Sequence, residues 1–357
     1  MKTVARFSIG FTRHLLPDGS AAGQLPEFAR DPETLLALYR AIWRTRLFDE
    51  RAVKLQRTGR LGTYASSLGQ EAVSVAIGHA MRSEDVLVPM YRDYGTQLQR
   101  GVRMSELLLY WGGDERGMYT HGEGQDLPIS VPVASHAPHA AGVAYAFRLR
   151  REPRVAVCTV GDGATSKGDF YEALNAAGTW RLPLVFVVVN NQWAISVPRA
   201  AQSGAGTLAQ KAIAAGVPGE QVDGNDVIAA RERIAAALEN ARNGGGPALI
   251  EALTYRLCDH TTADDASRYR DKAELEARRH EEPLVRLRRY LFDTGVLSEA
   301  VDQRIREQCD EEVEMEAGLY LETEPLPPHS LFDHLYAELP SSFRAQRDAL
   351  RRRGSPP

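Results

Sequence analysis

A chain of 357 residues, 43% hydrophobic and 25% charged, is long and apolar enough to bury a large core. Its net charge of −4 argues against a nucleic-acid partner, and no apolar run approaches the ~18 residues of a membrane span. Cys158, Cys258 and Cys309 lie far apart with no C-x-x-C spacing, which speaks against a disulfide framework or a zinc site and suits a reducing cytoplasm.

The first seventeen residues carry Lys2, Arg6 and Arg13 without an acid, a faint transit-peptide composition. The alternation Phe7-Ser8-Ile9-Gly10-Phe11 and the turn chemistry of Leu16-Pro17-Asp18-Gly19 favour an extended arm instead. Asp31-Pro32-Glu33 is a helix start, with an N-cap acid and Pro at the first helical position. That helix runs toward Thr58 with Leu35, Leu38, Tyr39, Ile42 and Trp43 as its apolar stripe, and stops at Gly59. Tyr64-Ala65-Ser66-Ser67-Leu68-Gly69-Gln70-Glu71-Ala72 follows, then a short strand Val86–Pro89 that ends at Met90-Tyr91-Arg92-Asp93. Arg makes charge-assisted bonds to phosphate and Tyr adds a neutral donor, although a single such pair also suits a surface helix cap.

The stretch from Gly112 to Pro132 is long and Gly-rich, the composition of a functional loop. His121 within it fits either a substrate contact or a solvated loop. Val131-Pro132-Val133-Ala134-Ser135-His136 leads into a helix over Ala137–Arg150.

The densest signal follows. An apolar β-branched run, Val155–Val160, breaks at Gly161-Asp162-Gly163; a helix-compatible segment covers Asp169 to Trp180; a second apolar run, Leu184–Val189, stops at Asn190-Asn191. Strand, helix and strand at this spacing form a βαβ unit, and runs this apolar suit strands covered on both faces. Parallel strands put their carboxyl ends on one rim, where open α/β sheets bind ligands. An Asp carboxylate and an Asn carbonyl are hard oxygen donors of the kind Mg²⁺ takes. Glycines let backbone approach phosphate, and a helix opening near Gly168 aims free N–H groups at an anion. The P-loop is excluded because Asp169-Phe170, not Lys-Ser/Thr, follows Gly168; the dinucleotide fingerprint lacks its third glycine, Ser166 standing there. Gly-Asp-Gly alone is also a common turn; the double Asn after the next strand is what makes it a motif.

Further on, Gly206–Ala215 reads as helix, Gly219–Asp226 as strand, turn and cap, Val227–Arg242 as helix, and Pro247–Tyr255 as a buried strand. That strand delivers His260-Thr261-Thr262-Ala263-Asp264-Asp265, then Ala266-Ser267-Arg268-Tyr269-Arg270. A His at the same rim as those oxygen donors and phosphate-approaching glycines is a candidate acid or base. Charged helices follow, Glu282–Thr294 and one capped by Ser298 that reaches Glu322, whose acids Asp310, Glu311, Glu312, Glu314 and Glu316 read as a solvated face. The tail Leu331–Leu339 reads as a packing segment, and the residues from Arg351 onward as frayed. These elements predict one α/β domain over residues 31–270, a parallel sheet sandwiched by helices, with an extended arm (1–30) before it and a helical extension and tail (271–357) after it.

Gly161-Asp162-Gly163, then roughly thirty positions to Asn190-Asn191, is the thiamine diphosphate motif. From about residue 30 to 335 the chain resembles the alpha subunits of heteromeric 2-oxo acid dehydrogenases, and Gly69-Gln70-Glu71-Ala72 resembles their pyruvate branch. The resemblance implies the diphosphate-binding half of the thiamine diphosphate fold. It implies Mg²⁺ on Asp162, Asn191 and the Trp193 carbonyl, and diphosphate contacts from Tyr91, Arg92, Gly161, Gly163, Ala164 and His260. The backbone near Val131 and Val133 would meet the aminopyrimidine, and Tyr269 and Arg270 would join His260 in an active-site loop. Where animal relatives carry a phosphorylated Ser, Thr261 stands here. The implied activity is oxidative decarboxylation of a 2-oxo acid, pyruvate, with the acyl group passed to a lipoyl-bearing acyltransferase. Branched-chain 2-oxo acid or acetoin dehydrogenase is the alternative; a non-catalytic scaffold is disfavoured by the intact Asp162, Asn191, Arg92 and His260. The pyrimidine-activating half is missing from the sequence, which implies a beta subunit in a complex of two alpha and two beta chains. Met90 and Tyr64 are candidate pocket residues.

Overall fold

The computed structural model describes residues 1–118, 125–333 and 335–352, so His121 lies outside the described residues. Six parallel strands form one sheet: β1 (Phe11–Thr12), β2 (Val86–Val88), β3 (Ala156–Gly161), β4 (Leu184–Asn190), β7 (Gly219–Asp223) and β8 (Ala248–Leu253), in the spatial order β1-β7-β8-β4-β3-β2. A separate two-residue antiparallel ladder joins β5 (Trp193–Ala194) to β6 (Val197–Pro198).

The near-continuous apolar runs have the cause expected of them: both faces are covered. Every residue of β4 is buried. Its Val185, Val187 and Val189 face one core, shared with the helices Pro32–Arg57, Glu71–Ala80 and Val227–Arg242. Phe186 and Val188 face the other, shared with the helices Ala137–Arg150 and Gly168–Thr179. The strand's period of two deals its side chains alternately to the two layers. In β3 and β4 Ala156 sits opposite Leu184 and Gly161 opposite Val189, so both strands end level and Asp162 emerges beside Asn190-Asn191.

Cap chemistry located the starts of the two longest helices. Asp31 accepts from the amides of Glu33 and Thr34, and Ser298 caps Glu299–Glu322. Ala137–Arg150 and Val227–Arg242 have the expected bounds, and Gly168–Thr179 and Pro283–Asp293 differ from expectation by a residue at each end. Gly206–Ala215 departs from expectation: only Lys211–Ala214 is helical. Thr207 and Gln210 cap each other through side chains, and the Ala209 amide is taken by the Glu251 carboxylate at 2.9 Å rather than by a helical carbonyl. Glu71–Ala80, Tyr94–Gln99, Met104–Trp111, Lys272–Arg279 and Ser341–Arg352 are further helices that pattern reading had not assigned. Glu71 to Ile77 is buried on every side and so has no amphipathic stripe to detect. Arg351 and Arg352, expected to fray, end the last described helix.

At the near edge β1 pairs with β7, and Asp226 receives the amides of His14 and Leu15 while capping its own helix at Ile228 and Ala229. The acids of Glu299–Glu322 are not simply solvated. Glu312 binds Arg44 (Nε at 2.9 Å), exposed Glu314 pairs with Arg51 and Glu316 takes the Ser105 amide and hydroxyl; Asp310 and Glu311 are exposed as expected.

Candidate active site

A cavity of about 320 Å³ opens at the carboxyl rim of β3 and β4. Asp162 sits at its base, 1% exposed, and its Oδ2 has no hydrogen-bond partner. Burial raises the carboxyl to a pKa of about 6, against the opposing pull of Arg256. The chain then makes one 3-10 turn, Gly163–Ser166, before the helix Gly168–Thr179. A Cβ on Gly163 would lie 2.8 Å from that of Ala194, so only glycine lets the turn and β5 approach this closely.

Asn191 is oriented from behind. Its Nδ2 donates to Gln70 Oε1 at 3.0 Å, which turns Oδ1 toward the amide of Trp193 at 3.2 Å. Gln192 and Ile195 adopt positive φ, 73° and 57°, around the small β5–β6 ladder. This curls the Trp193 carbonyl back to the rim, where Arg256 Nη1 reaches it at 3.3 Å.

The opposite wall is cationic. Arg92, 4% exposed, donates to Ser66 O at 2.5 Å and to His260 Nδ1 at 3.0 Å. Since a guanidinium only donates, His260 Nδ1 is the acceptor and Nε2 carries the proton. Burial, then Arg92 and Arg256, press the imidazole down to about 4, so it is neutral at pH 7. Tyr91 meets it edge-on with ring centres 6.3 Å apart. Arg256 is fully buried and satisfied by neutral oxygens: Trp193 O, Ile195 O at 2.8 Å and the Tyr269 hydroxyl at 2.8 Å. Among the described residues neither Arg92 nor Arg256 has a carboxylate within ion-pair distance.

Tyr91, Arg92, Val133, Gly161, Asp162, Gly163, Ala164, Asn191, Trp193 and His260 therefore line one cavity, as does Met90. Val131 is half exposed and outside the lining. Tyr269 stands behind it, its ring 5.5 Å from that of Trp193 and its hydroxyl on Asp264. Arg270 bonds the carbonyls of Arg256 and Cys258 and lines a different cavity, next to Asp49. Tyr64 is buried in the core with its hydroxyl on Asp49, away from the site. Sequence reading passed over Lys167 and His136, both in the lining, and Arg256 behind it. His136 Nε2 lies 2.7 Å from Thr159 O, and its buried Nδ1 has no partner. The available signal for Arg256 was its place three residues beyond a buried strand, between Tyr255 and Leu257.

A family model described as "Dehydrogenase E1 component" matches residues 39–326. The chain belongs to that family. It is 38% identical to a pyruvate dehydrogenase E1 component subunit alpha of Acholeplasma laidlawii over 92% of this chain and 96% of the relative. It is 40% identical to a 3-methyl-2-oxobutanoate dehydrogenase subunit alpha of Mycobacterium tuberculosis over 94% and 92% of the two chains. A third relative, the pyruvate dehydrogenase E1 component subunit alpha of Staphylococcus epidermidis, is 37% identical over 91% and 88%. This is thus an alpha-type E1 subunit of a thiamine diphosphate-dependent family, and the E1 assembly includes a beta subunit.

Proposed function

We propose that this subunit, with its beta partner, decarboxylates pyruvate using thiamine diphosphate and Mg²⁺ and passes the acetyl group to a lipoyl-bearing acyltransferase. The observation that carries the reading is electrostatic: an orphaned buried Asp162 oxygen faces the same cavity as buried Arg92, with buried Arg256 directly behind the lining, and among the described residues no carboxylate pairs with either arginine. Buried charges persist where a partner compensates them. A metal supplies that partner for Asp162, and a diphosphate supplies it for the arginines.

The donor set fits. Asp162, Asn191 Oδ1 and the Trp193 carbonyl are hard oxygens, and each carbonyl keeps a second lone pair beyond its present bond. Gly163 and Ala164 offer backbone to the diphosphate; Arg92 and Tyr91 offer side-chain donors. The cofactor supplies the electron sink for decarboxylation. His260 donates its Nε2 proton as a neutral hydrogen-bond donor toward phosphate or the acyl group. Val133 at the lip is an apolar prop, and the surrounding side chains limit water. The pyrimidine half comes from the beta chain, in a complex of two alpha and two beta subunits.

A second reading, a branched-chain 2-oxo acid, has one specific support: the 40% identity to the Mycobacterium tuberculosis subunit. Gln70 of the pyruvate-like Gly69-Gln70-Glu71-Ala72 holds Asn191 and lines no part of the cavity, so it acts on the metal side rather than on the acyl chain. The deciding assay uses the chain with its beta partner and an artificial electron acceptor, comparing pyruvate with the oxo acids of valine and leucine. Pyruvate should win; preference for a branched acid would replace it. In the same complex Asp162→Ala should abolish Mg²⁺-dependent cofactor uptake and Asn191→Ala should weaken it less. Unchanged uptake in Asp162→Ala would move the metal elsewhere.

A further inference from the structure

Lys211 opens the single turn Lys211–Ala214, is 9% exposed, and has no carboxylate within ion-pair distance among the described residues. Its ammonium donates to the carbonyl of Thr165 at 2.8 Å and to the Thr165 hydroxyl at 2.9 Å, and lies 5.4 Å from the ring centre of Tyr171. Thr165 is fully buried and spends its remaining polar groups on one neighbour. Its hydroxyl donates to the Asp162 carbonyl at 2.7 Å and its amide donates to the same oxygen at 3.1 Å. The turn between them is four residues of 3-10 helix, an element whose own hydrogen bonds have poorer geometry than those of an α-helix. Burying an ammonium there is costly: desolvation and the positive field of Arg199 oppose it, while the Glu251 carboxylate favours it, and a methionine would meet none of these costs.

We propose that Lys211 is a positioning residue that, through Thr165, holds the Asp162–Ser166 turn in the shape that binds the metal–diphosphate. The proposal rests on the cofactor reading above. Lys211 touches no part of the cavity; it acts on the backbone that carries Asp162, and its fixed charge lies beneath the turn that faces the diphosphate. Partners of this kind, one layer behind the ligands, typically cost about 10–100-fold in metal affinity when removed.

The test is calorimetric titration of thiamine diphosphate into the assembled alpha–beta complex at a series of Mg²⁺ concentrations, beside thermal melting of the cofactor-free complex. Lys211→Met and Thr165→Val should each raise the Mg²⁺ required for half-saturation by about 10–100-fold. The double variant should be little worse than either, because both break one chain of contacts. Lys211→Arg, which keeps charge and donors, should stay close to wild type, and the melting temperature should not follow the affinity. If Lys211→Met melts early, Thr165→Val, which keeps volume and charge, decides alone. Wild-type Mg²⁺ dependence in Thr165→Val, or a loss in Lys211→Met that Arg does not rescue, overturns the proposal. A wild-type complex that takes up no thiamine diphosphate at any Mg²⁺ concentration sinks the cofactor reading itself, and this proposal with it.

Discussion

Asp93 shows how a single residue can hold a site without lining it. It is fully buried; its Oδ2 takes the amide of Met90 at 2.9 Å and the hydroxyl of Thr159, which pins the Met90-Tyr91-Arg92 turn to β3. Burial pushes its carboxyl up to about 7, only partly offset by those bonds. A folded-state value above the unfolded one means the native protein holds the proton more tightly. The resulting penalty is absent below the unfolded value near 3.8, grows as pH rises, and is complete above about 7. Three units correspond to on the order of 4 kcal/mol. Asp93→Asn, which carries no charge to desolvate, should match wild type in stability near pH 4, gain on it up to about pH 7 and then level off. Denaturant unfolding of both proteins across that range checks it; a constant difference would mean that Asp93 is ionised throughout.

At the scale of elements, the site depends on how closely the Gly168–Thr179 helix can approach the loop after Lys211–Ala214. Gly178 makes that contact: a Cβ there would come 2.1 Å from the carbonyl of Ala215. The same helix carries Phe170, Ala173, Leu174 and Ala177 into the core beneath the sheet. Two backbones pressed together have no rotamer to yield, so the strain falls on the packing of both segments. Gly178→Ala should therefore cost about 1–3 kcal/mol, the usual range for overpacking. The drop in melting temperature measures it, and an unchanged temperature would show that the helix can slide. Ala209 and Glu251 explain why the preceding segment is short of a helix: a buried carboxylate claims the amide that a longer helix would have used.

For the whole molecule the decisive property is incompleteness. The cavity gathers the oxygens of Asp162 and Asn191 and the donors of Tyr91 and Arg92, which the proposed function assigns to a metal and a diphosphate, and its lip carries the half-exposed side chains Val133 and Ile195. A glutamate that could activate a pyrimidine is absent from the lining among the described residues. The isolated subunit should therefore bind thiamine diphosphate weakly and turn over no 2-oxo acid, and adding the beta chain should restore both. Decarboxylation assayed with and without that chain is the measurement; robust turnover by the subunit alone would place the whole active site within it.

What the residues determined unaided is what acts locally. Apolar runs of strand length, the Asp31-Pro32 and Ser298 caps, and Gly161-Asp162-Gly163 followed by Asn190-Asn191 determined the central strands, the long capped helices and one rim, because caps and turn glycines work within a few residues and periodicity within one element. What only the folded chain decided is the set of polar contacts between distant segments. Gln70 turns Asn191 across 121 positions, Arg92 reaches His260 across 168, and Lys211 grips Thr165 across 46. The same separation hid the all-round burial of Glu71 to Ile77 and sent Tyr64 into the core and Arg270 to another cavity. Whether a polar side chain is buried, and against what, depends on which elements pack over it, and no local pattern in the chain encodes that.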